Sequence, residues 1–222
     1  MTSLGRCRWP EIGPAVLAVP LGATEQHGPH LPLDTDTAVA TELCRRLAER
    51  LPGVLVAPAL PFGSSGEHAG FPGTLSIGQE AFERVVVELA RSAEEFDGIV
   101  FVNGHGGNLA PLRRAVRLLR AEGRPVFAWA PSGRADDAHA GRTETSVMLR
   151  LRPADVELTA AEAGNTTPLP DLMEQLVRGG VRAVSDNGVL GDPSGASAEE
   201  GEALLATWAD ALVTAVRGWL TR

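Results

Sequence analysis

The sequence contains no lysine and no tyrosine among its 222 residues. The missing lysine excludes Schiff-base chemistry, and the missing tyrosine excludes a phenolic acid or base. Only two cysteines are present, Cys7 and Cys44, which are too few for a disulfide framework and have no CxxC partner. Cys44 shares the apolar face of a predicted helix with Leu43 and Leu47, so we expect its thiol to be buried.

Basic patches and long apolar runs are also missing. The formal net charge is -8, which disfavours nucleic acid and anionic membranes as main partners because both bind positively charged surfaces. No window approaches the ~18 apolar residues of a membrane-spanning helix, and the early run 15–21 reads as a strand rather than a secretory signal. We expect a cytoplasmic protein with one domain over residues 1–222, whose 44% hydrophobic content supports a sizeable core.

Short apolar runs alternate with longer helical patterns along the chain. Strands are predicted at 16–21, 54–57, 99–102 and 125–130, and helices at 37–51, 79–96, 109–122, 143–151 and 198–220. This alternation predicts a mostly parallel sheet covered by helices on both faces, which is a three-layer α/β/α fold. No pattern places the loop-rich segment 153–197.

An irregular loop follows each predicted strand, at 22–36, 58–78, 103–108 and 131–143. Because the carboxyl ends of parallel strands share one edge of a sheet, we expect these loops to gather into one site. All five histidines lie in these loops: His27, His30, His68, His105 and His139. The clustering predicts a site built around imidazole groups.

Carboxylates accompany these histidines. Glu25 and His27 are two residues apart, so an extended backbone projects both to the same side, and Asp36 follows where the loop returns to a helix. Asp36 also suits a helix cap, and Glu144 suits a first-turn carboxylate that the helix dipole favours. Together with the imidazoles, these groups suit zinc, iron(II) or manganese, and two ions ~3.5–4 Å apart acidify a water for hydrolysis.

The loop around His105 has the sequence Asn-Gly-His-Gly-Gly-Asn. Glycine-rich loops also bind phosphate, but such loops need a lysine or a GxGxxG pattern, and this chain has neither. Glycines let the backbone approach a bound group closely. A ligand role for His105 is therefore favoured over a phosphate loop.

These residues resemble a known signature. The run VPLGATEQHGPHLPL at 19–33, followed by Asp-Thr-Asp at 34–36, is similar to that of the creatininase (creatinine amidohydrolase) family. Gly66-Glu67-His68, the 103–108 loop and the 139–146 segment match it as well, so the resemblance covers about residues 15–150. It implies a three-layer α/β/α fold, about two divalent metal ions per chain, hydrolysis of a C–N amide bond and a homo-oligomer.

The resemblance also implies site roles by motif position. Four residues correspond to metal ligands: Glu25, His27, Asp36 and His105. Asp36 would bridge two ions, and His139 would be the general acid or base. Creatininase itself has a glutamate at the position of Gly107, and Glu144 is the candidate that replaces it.

Within the family, the chain looks most like a branch of peptidases. Members of that branch release a modified C-terminal Val–Tyr-derived unit from a ribosomally made precursor peptide, and the likeness lies at 64–68, 143–146 and 179–193. Candidate substrate-binding residues are Phe62, Phe71, His68 and Arg142, with Trp9 and Trp129 as further aromatic groups. The alternatives are creatininase proper, a formamide deformylase of flavin or deazaflavin biosynthesis, and an inactive metal-binding scaffold.

Overall fold

A computed structural model describes residues 3–221 of the chain. Its sheet has four parallel strands in the order β2–β1–β3–β4. The strands are β1 (Val16–Leu21), β2 (Val54–Val56), β3 (Gly98–Asn103) and β4 (Val126–Trp129). The α-helices of the described residues are α1 (Thr35–Arg50), α2 (Gly78–Ser92), α3 (Leu109–Ala121), α4 (Arg142–Leu151), α5 (Leu169–Gly179) and α6 (Ala198–Leu220).

Alternate side chains of the two central strands enter two different apolar cores. Ala18 and Val100 pack against α1 and α6 on one face of the sheet. Val19 and Phe101 pack against α2 and α3 on the opposite face. Because both faces are covered, every residue of β1 and β3 is buried. The predicted three-layer α/β/α fold is confirmed.

Helix α6 closes the first core along its whole length. Leu205, Trp208 and Leu212 are buried on its inner face, as the apolar spacing predicts. Cys44 is buried in the same core, which confirms its expected packing role. Within residues 3–221, no helix is both long and apolar enough to cross a lipid bilayer.

The boundaries of some elements differ from the predicted ones. Helix α1 begins at Thr35, two residues earlier than predicted, and Asp34 is its N-cap residue. Asp36 therefore lies inside the first turn and is not the cap. Helix α5 was missed because Pro168 and Pro170 interrupt its apolar pattern, although proline is tolerated in a first helical turn.

Candidate metal centre

The carboxylates and imidazoles predicted to bind metal come together at the carboxyl edge of the sheet. The donor atoms form three groups, and within each group all atoms lie within 4.8 Å of one another. The groups are Glu25–Asp36–His105, His27–Asp36–Glu144 and Glu25–His27–His139. Asp36 belongs to two of these groups, which is the arrangement that a bridging carboxylate requires. His30 belongs to none of them, and its Nε2 lies 2.9 Å from Oγ1 of Thr145.

Close packing between the end of β3 and the first turn of α1 brings His105 next to Asp36. A Cβ at Gly104 would lie 2.4 Å from the backbone oxygen of Asp36, so only glycine permits this approach. His105 follows immediately, and its Nδ1 lies 3.2 Å from both Asp36 Oδ2 and Glu25 Oε1. The glycine beside His105 thus sets the distance between the third strand and the first turn of α1.

Backbone carbonyls fix the orientation of His27 and His105. Nδ1–H of His27 donates to the carbonyl oxygen of Glu25 at 3.1 Å, which turns Nε2 towards Asp36 Oδ1 at 3.2 Å. Nε2–H of His105 donates to the carbonyl oxygen of Ser64 at 3.0 Å, which turns Nδ1 towards the carboxylates. An imidazole whose outer nitrogen is held this way presents its inner nitrogen to a metal.

His139 is held in the same manner. Its Nε2–H donates to the carbonyl oxygen of Gln26 at 2.8 Å, and its Nδ1 lies 3.9 Å from Glu25 Oε1. Burial, followed by the positive charge of His27, lowers the pKa of His139 to about 4. The ring is therefore neutral at pH 7, with the lone pair of Nδ1 facing the cluster.

Gln26 links two of the histidine loops to the C-terminal third of the chain. Its Oε1 accepts from the N–H of Gly28 at 2.8 Å, which leaves Nε2 as the donor end. That Nε2 donates to the Gly188 carbonyl at 3.0 Å and to Nδ1 of His68 at 2.9 Å. His68 consequently carries its proton on Nε2, which lies 3.2 Å from Glu25 Oε1. Sequence reasoning did not assign a role to Gln26, although it stands between two predicted ligands.

Three of the four side-chain oxygens of Glu25 and Asp36 lack a hydrogen-bond partner. Both side-chain oxygens of Glu25 and Oδ2 of Asp36 are buried without a hydrogen bond of acceptable geometry. Leaving ionised oxygens unsatisfied inside a protein costs several kcal/mol. A divalent cation would satisfy these oxygens, and a mixed set of carboxylate and imidazole ligands suits zinc, iron(II) or manganese. The residues present therefore fit a bound metal.

In the metal-free site, the neighbouring carboxylates raise the pKa values of His27 and His105. Burial opposes a charge on His27, but the charge and hydrogen bond of Asp36, with Glu144 and Glu25, raise its pKa to about 10. Burial likewise opposes a charge on His105, whereas Glu25 and Asp36 raise its pKa well above the ordinary value. Both inner ring nitrogens therefore hold protons at pH 7 when no cation is present.

We expect metal uptake to release protons. A cation must displace the inner protons of His27 and His105, so close to two protons should leave per chain at pH 7, and affinity should rise with pH by about tenfold per unit for each proton released. Isothermal titration of the metal-free protein with zinc, in two buffers of different ionisation enthalpy, measures this number. Binding that releases no protons and has the same affinity at pH 6 and pH 8 would contradict the raised pKa values.

Glu144 reaches the cluster from the first turn of α4. Its Oε2 accepts from the N–H of Ala140 at 2.6 Å and lies 3.9 Å from Nε2 of His27. Ala140 has a φ of 52°, a left-handed conformation that is unusual for a residue with a side chain. This turn directs both His139 and Glu144 towards the cluster, and such strain is often found at functional sites.

The substitution Glu144→Gln should lower the metal content of the protein towards one ion per chain. The amide would keep most of the shape but would lose the charge that faces His27, so the group His27–Asp36–Glu144 would bind its ion poorly. Inductively coupled plasma mass spectrometry of the dialysed protein measures the stoichiometry. Unchanged stoichiometry with unchanged activity would leave Glu144 as a carboxylate that caps the Ala140 turn.

The predicted substrate-binding residues are not all placed at an open surface. His68 is buried inside the cluster, and the ring of Phe71 lies under the guanidinium of Arg182 at 4.6 Å from the ring centroid. Phe62 is 42% exposed and therefore presents a free aromatic surface. Trp9 is 88% exposed near the N-terminus, and the remaining aromatic candidate, Trp129, packs against the first apolar core.

Arg142 already has a partner. Its Nε donates to Oε2 of Glu200 at 2.7 Å, and its side chain is 51% exposed, so this pair leaves part of the side chain open to solvent and the role of Arg142 in substrate binding stays a prediction. Arg142 also lines a cavity of about 480 Å³ together with Arg134, Asp137 and Glu200. This cavity contains none of the clustered donor residues, so it lies outside the chemical centre.

The fold and this donor set define a metallohydrolase of the α/β/α class. A comparison with family models matches residues 6–216 to the creatininase family, described as creatinine amidohydrolase. The chain belongs to the creatininase family. It is a hydrolase that acts on amide bonds and uses a divalent metal.

Individual relatives show the same likeness. The mycofactocin precursor peptide peptidase of Mycobacterium tuberculosis is 50% identical over 95% of this chain and 88% of its own length. A solved structure described as "Creatininase Mn" is 28% identical with a TM-score of 0.79, and the match covers 98% of each chain. A pyrimidine-ribotide formamide deformylase of Methanothermus fervidus is 31% identical over 60% of this chain and 54% of its own.

Proposed function

We propose that this chain releases a modified C-terminal Val–Tyr-derived unit from the mycofactocin precursor peptide by hydrolysis of an amide bond. The observation that carries this proposal is the extent of the match to the mycobacterial peptidase, which spans the metal loops and the C-terminal third. The deformylase match covers a smaller part of the chain and thus supports the shared amide chemistry more than a formamide substrate.

The donor groups suggest which residues hold the ions. We assign one ion to Glu25, Asp36 and His105, and a second ion to His27, Asp36 and Glu144, with manganese, iron(II) and zinc as the candidate metals. When bound, such ions supply a Lewis acid that polarises the amide carbonyl and lowers the pKa of water. The backbone carbonyls that hold His27 and His105 keep both rings turned inward and so limit reorganisation during the reaction.

We assign proton transfer to His139. Its neutral ring offers Nδ1 as an acceptor for a proton from the attacking water, while Nε2–H remains fixed on the Gln26 carbonyl. The charged ring then donates that proton to the leaving amine. One imidazole therefore accepts and returns the proton without moving from the Gln26 carbonyl.

A peptide substrate also needs an accessible wall beside the cluster. The loop at 58–78 carries the clustered His68 and two exposed apolar side chains, Phe62 and Leu75, which are 42% and 54% exposed. We assign these side chains to contacts with the aromatic part of the substrate, because a ring buries apolar area and stacks on another ring.

The decisive experiment uses the modified precursor peptide. Protein loaded with iron(II), manganese or zinc is incubated with it, and the expected result is a released product of dipeptide size by mass spectrometry. The unmodified precursor and the Asp36→Asn protein are the controls. Steady turnover of creatinine or a formamide, without cleavage of the modified peptide at the same metal loading, would reverse the substrate assignment and leave the family assignment intact.

A further inference from the structure

Glu67 is a carboxylate at the rim of the cluster that belongs to none of the three donor groups. It lies in the short 3₁₀ turn Gly66–His68 that follows β2 along the chain. Its side chain is 33% exposed, and its Oε1 lies 3.5 Å from Nε2 of His105. Among the described residues, no arginine pairs with this carboxylate, so its charge is directed at His105.

Two glycines pack closely against Glu67, one against its carboxylate and one against its backbone. A Cβ at Gly107 would lie 2.2 Å from Oε1 of Glu67 and 2.2 Å from the carbonyl oxygen of Ser64. A Cβ at Gly180 would lie 2.5 Å from the backbone oxygen of Glu67, and Gly180 has a φ of +69° that favours glycine. A side chain at position 107 or 180 would therefore collide with the carboxylate or the backbone of Glu67.

The carboxylate therefore faces the outer edge of His105 while two other carboxylates face the inner edge. Nε2–H of His105 donates to the Ser64 carbonyl at 3.0 Å, and the negative charge of Glu67 lies beside the same N–H. Nδ1 lies 3.2 Å from Glu25 Oε1 and Asp36 Oδ2. A carboxylate next to the outer N–H of an imidazole ligand increases the basicity of the inner nitrogen and so strengthens its bond to a metal.

We propose that Glu67 is a positioning residue for His105, which keeps the proton of that ring on Nε2 and strengthens metal binding through Nδ1. The proposal rests on the ligand role assigned to His105 above, but not on the identity of the substrate. It also gives a physical reason for glycine at position 107, since any side chain there would displace the carboxylate from His105.

The test measures metal affinity directly. Zinc is titrated into metal-free Glu67→Gln and wild-type proteins in competition with a chromophoric chelator, and Glu67→Gln should bind one zinc ion about 10–100-fold more weakly. Glu83→Gln is the matched control, because Glu83 is 28% exposed and pairs with Arg114 away from the cluster. Metal-free Glu67→Gln should keep the circular dichroism spectrum of the metal-free wild type, so that a weaker zinc affinity does not reflect misfolding.

A second variant tests whether the effect passes through His105. In a His105→Ala background, Glu67→Gln should cause no further loss of zinc affinity, because residues that act through one another are not additive. Three results would each overturn the proposal: wild-type zinc affinity in Glu67→Gln, an equal loss of affinity in Glu83→Gln, or an undiminished loss in the His105→Ala background. None of these measurements uses the peptide, so a failed peptide assay and a failed role for Glu67 are distinguishable.

Discussion

Replacing Asp36 with asparagine should remove the two divalent ions that we propose for the cluster and lower amide hydrolysis at least about 10³-fold, because such ions supply several kcal/mol of transition-state stabilisation. Asp36 belongs to two donor groups, with Oδ1 at 3.2 Å from Nε2 of His27 and Oδ2 at 3.2 Å from Nδ1 of His105. An asparagine at this position offers one neutral oxygen instead of two charged ones, so it cannot serve both groups.

Asp34→Asn is the matched control for this prediction. Asp34 lies two residues earlier, is 46% exposed at its side chain and pairs with Arg152 at 3.0 Å on the surface. The Asp34→Asn protein should keep its metal content, measured by plasma mass spectrometry, and its activity, measured by an amide-hydrolysis assay. An Asp36→Asn protein that is folded by circular dichroism and retains two ions per chain would rule out a bridging role for Asp36.

Much of the fold could be predicted because local patterns carry the information. The strands β1 and β3 are short apolar runs bounded by turn residues, and these runs are buried on both faces as a parallel sheet demands. Helix α6 follows from one long amphipathic pattern. Helix α5 is short and has prolines in and next to its first turn, so local signals compete there and no helix was predicted.

The set of clustered residues could also be predicted, since the carboxyl ends of parallel strands must meet at one edge. Glu25 and His105 are 80 residues apart in the sequence, yet each follows one of two adjacent strands, and Glu25 Oε1 lies 3.2 Å from His105 Nδ1. Topology alone brings them together, which is why post-strand position was an effective guide to the candidate site.

The orientation of each group could not be predicted from the sequence. The Ser64 carbonyl that holds His105 and the Gln26 carbonyl that holds His139 are backbone atoms, and every residue has one. The partner of Arg142 is Glu200, which is 58 residues away and approaches from α6. Such contacts depend on how loops pack after the sheet has formed, and no local pattern encodes them.

The substitution His139→Ala should reduce turnover by roughly 10²–10⁴-fold while the protein keeps its metal, because a positioned acid–base group contributes about that much. Nε2–H of His139 is fixed on the Gln26 carbonyl at 2.8 Å, and burial with the charge of His27 lowers its pKa to about 4, so the metal-free ring is neutral at working pH. The loss should appear in kcat more than in KM, since proton transfer acts in the transition state.

Metal content decides between this role and the competing one. Nδ1 of His139 lies 3.9 Å from Glu25 Oε1, and His139 shares a donor group with Glu25 and His27, so the same geometry suits a metal ligand. His30→Ala is the matched control, because His30 is a buried imidazole outside the donor groups. If His139→Ala loses an ion that His30→Ala retains, His139 is a ligand and another group must carry the proton. If both variants keep two ions and only His139→Ala loses turnover, proton transfer by His139 accounts for the difference.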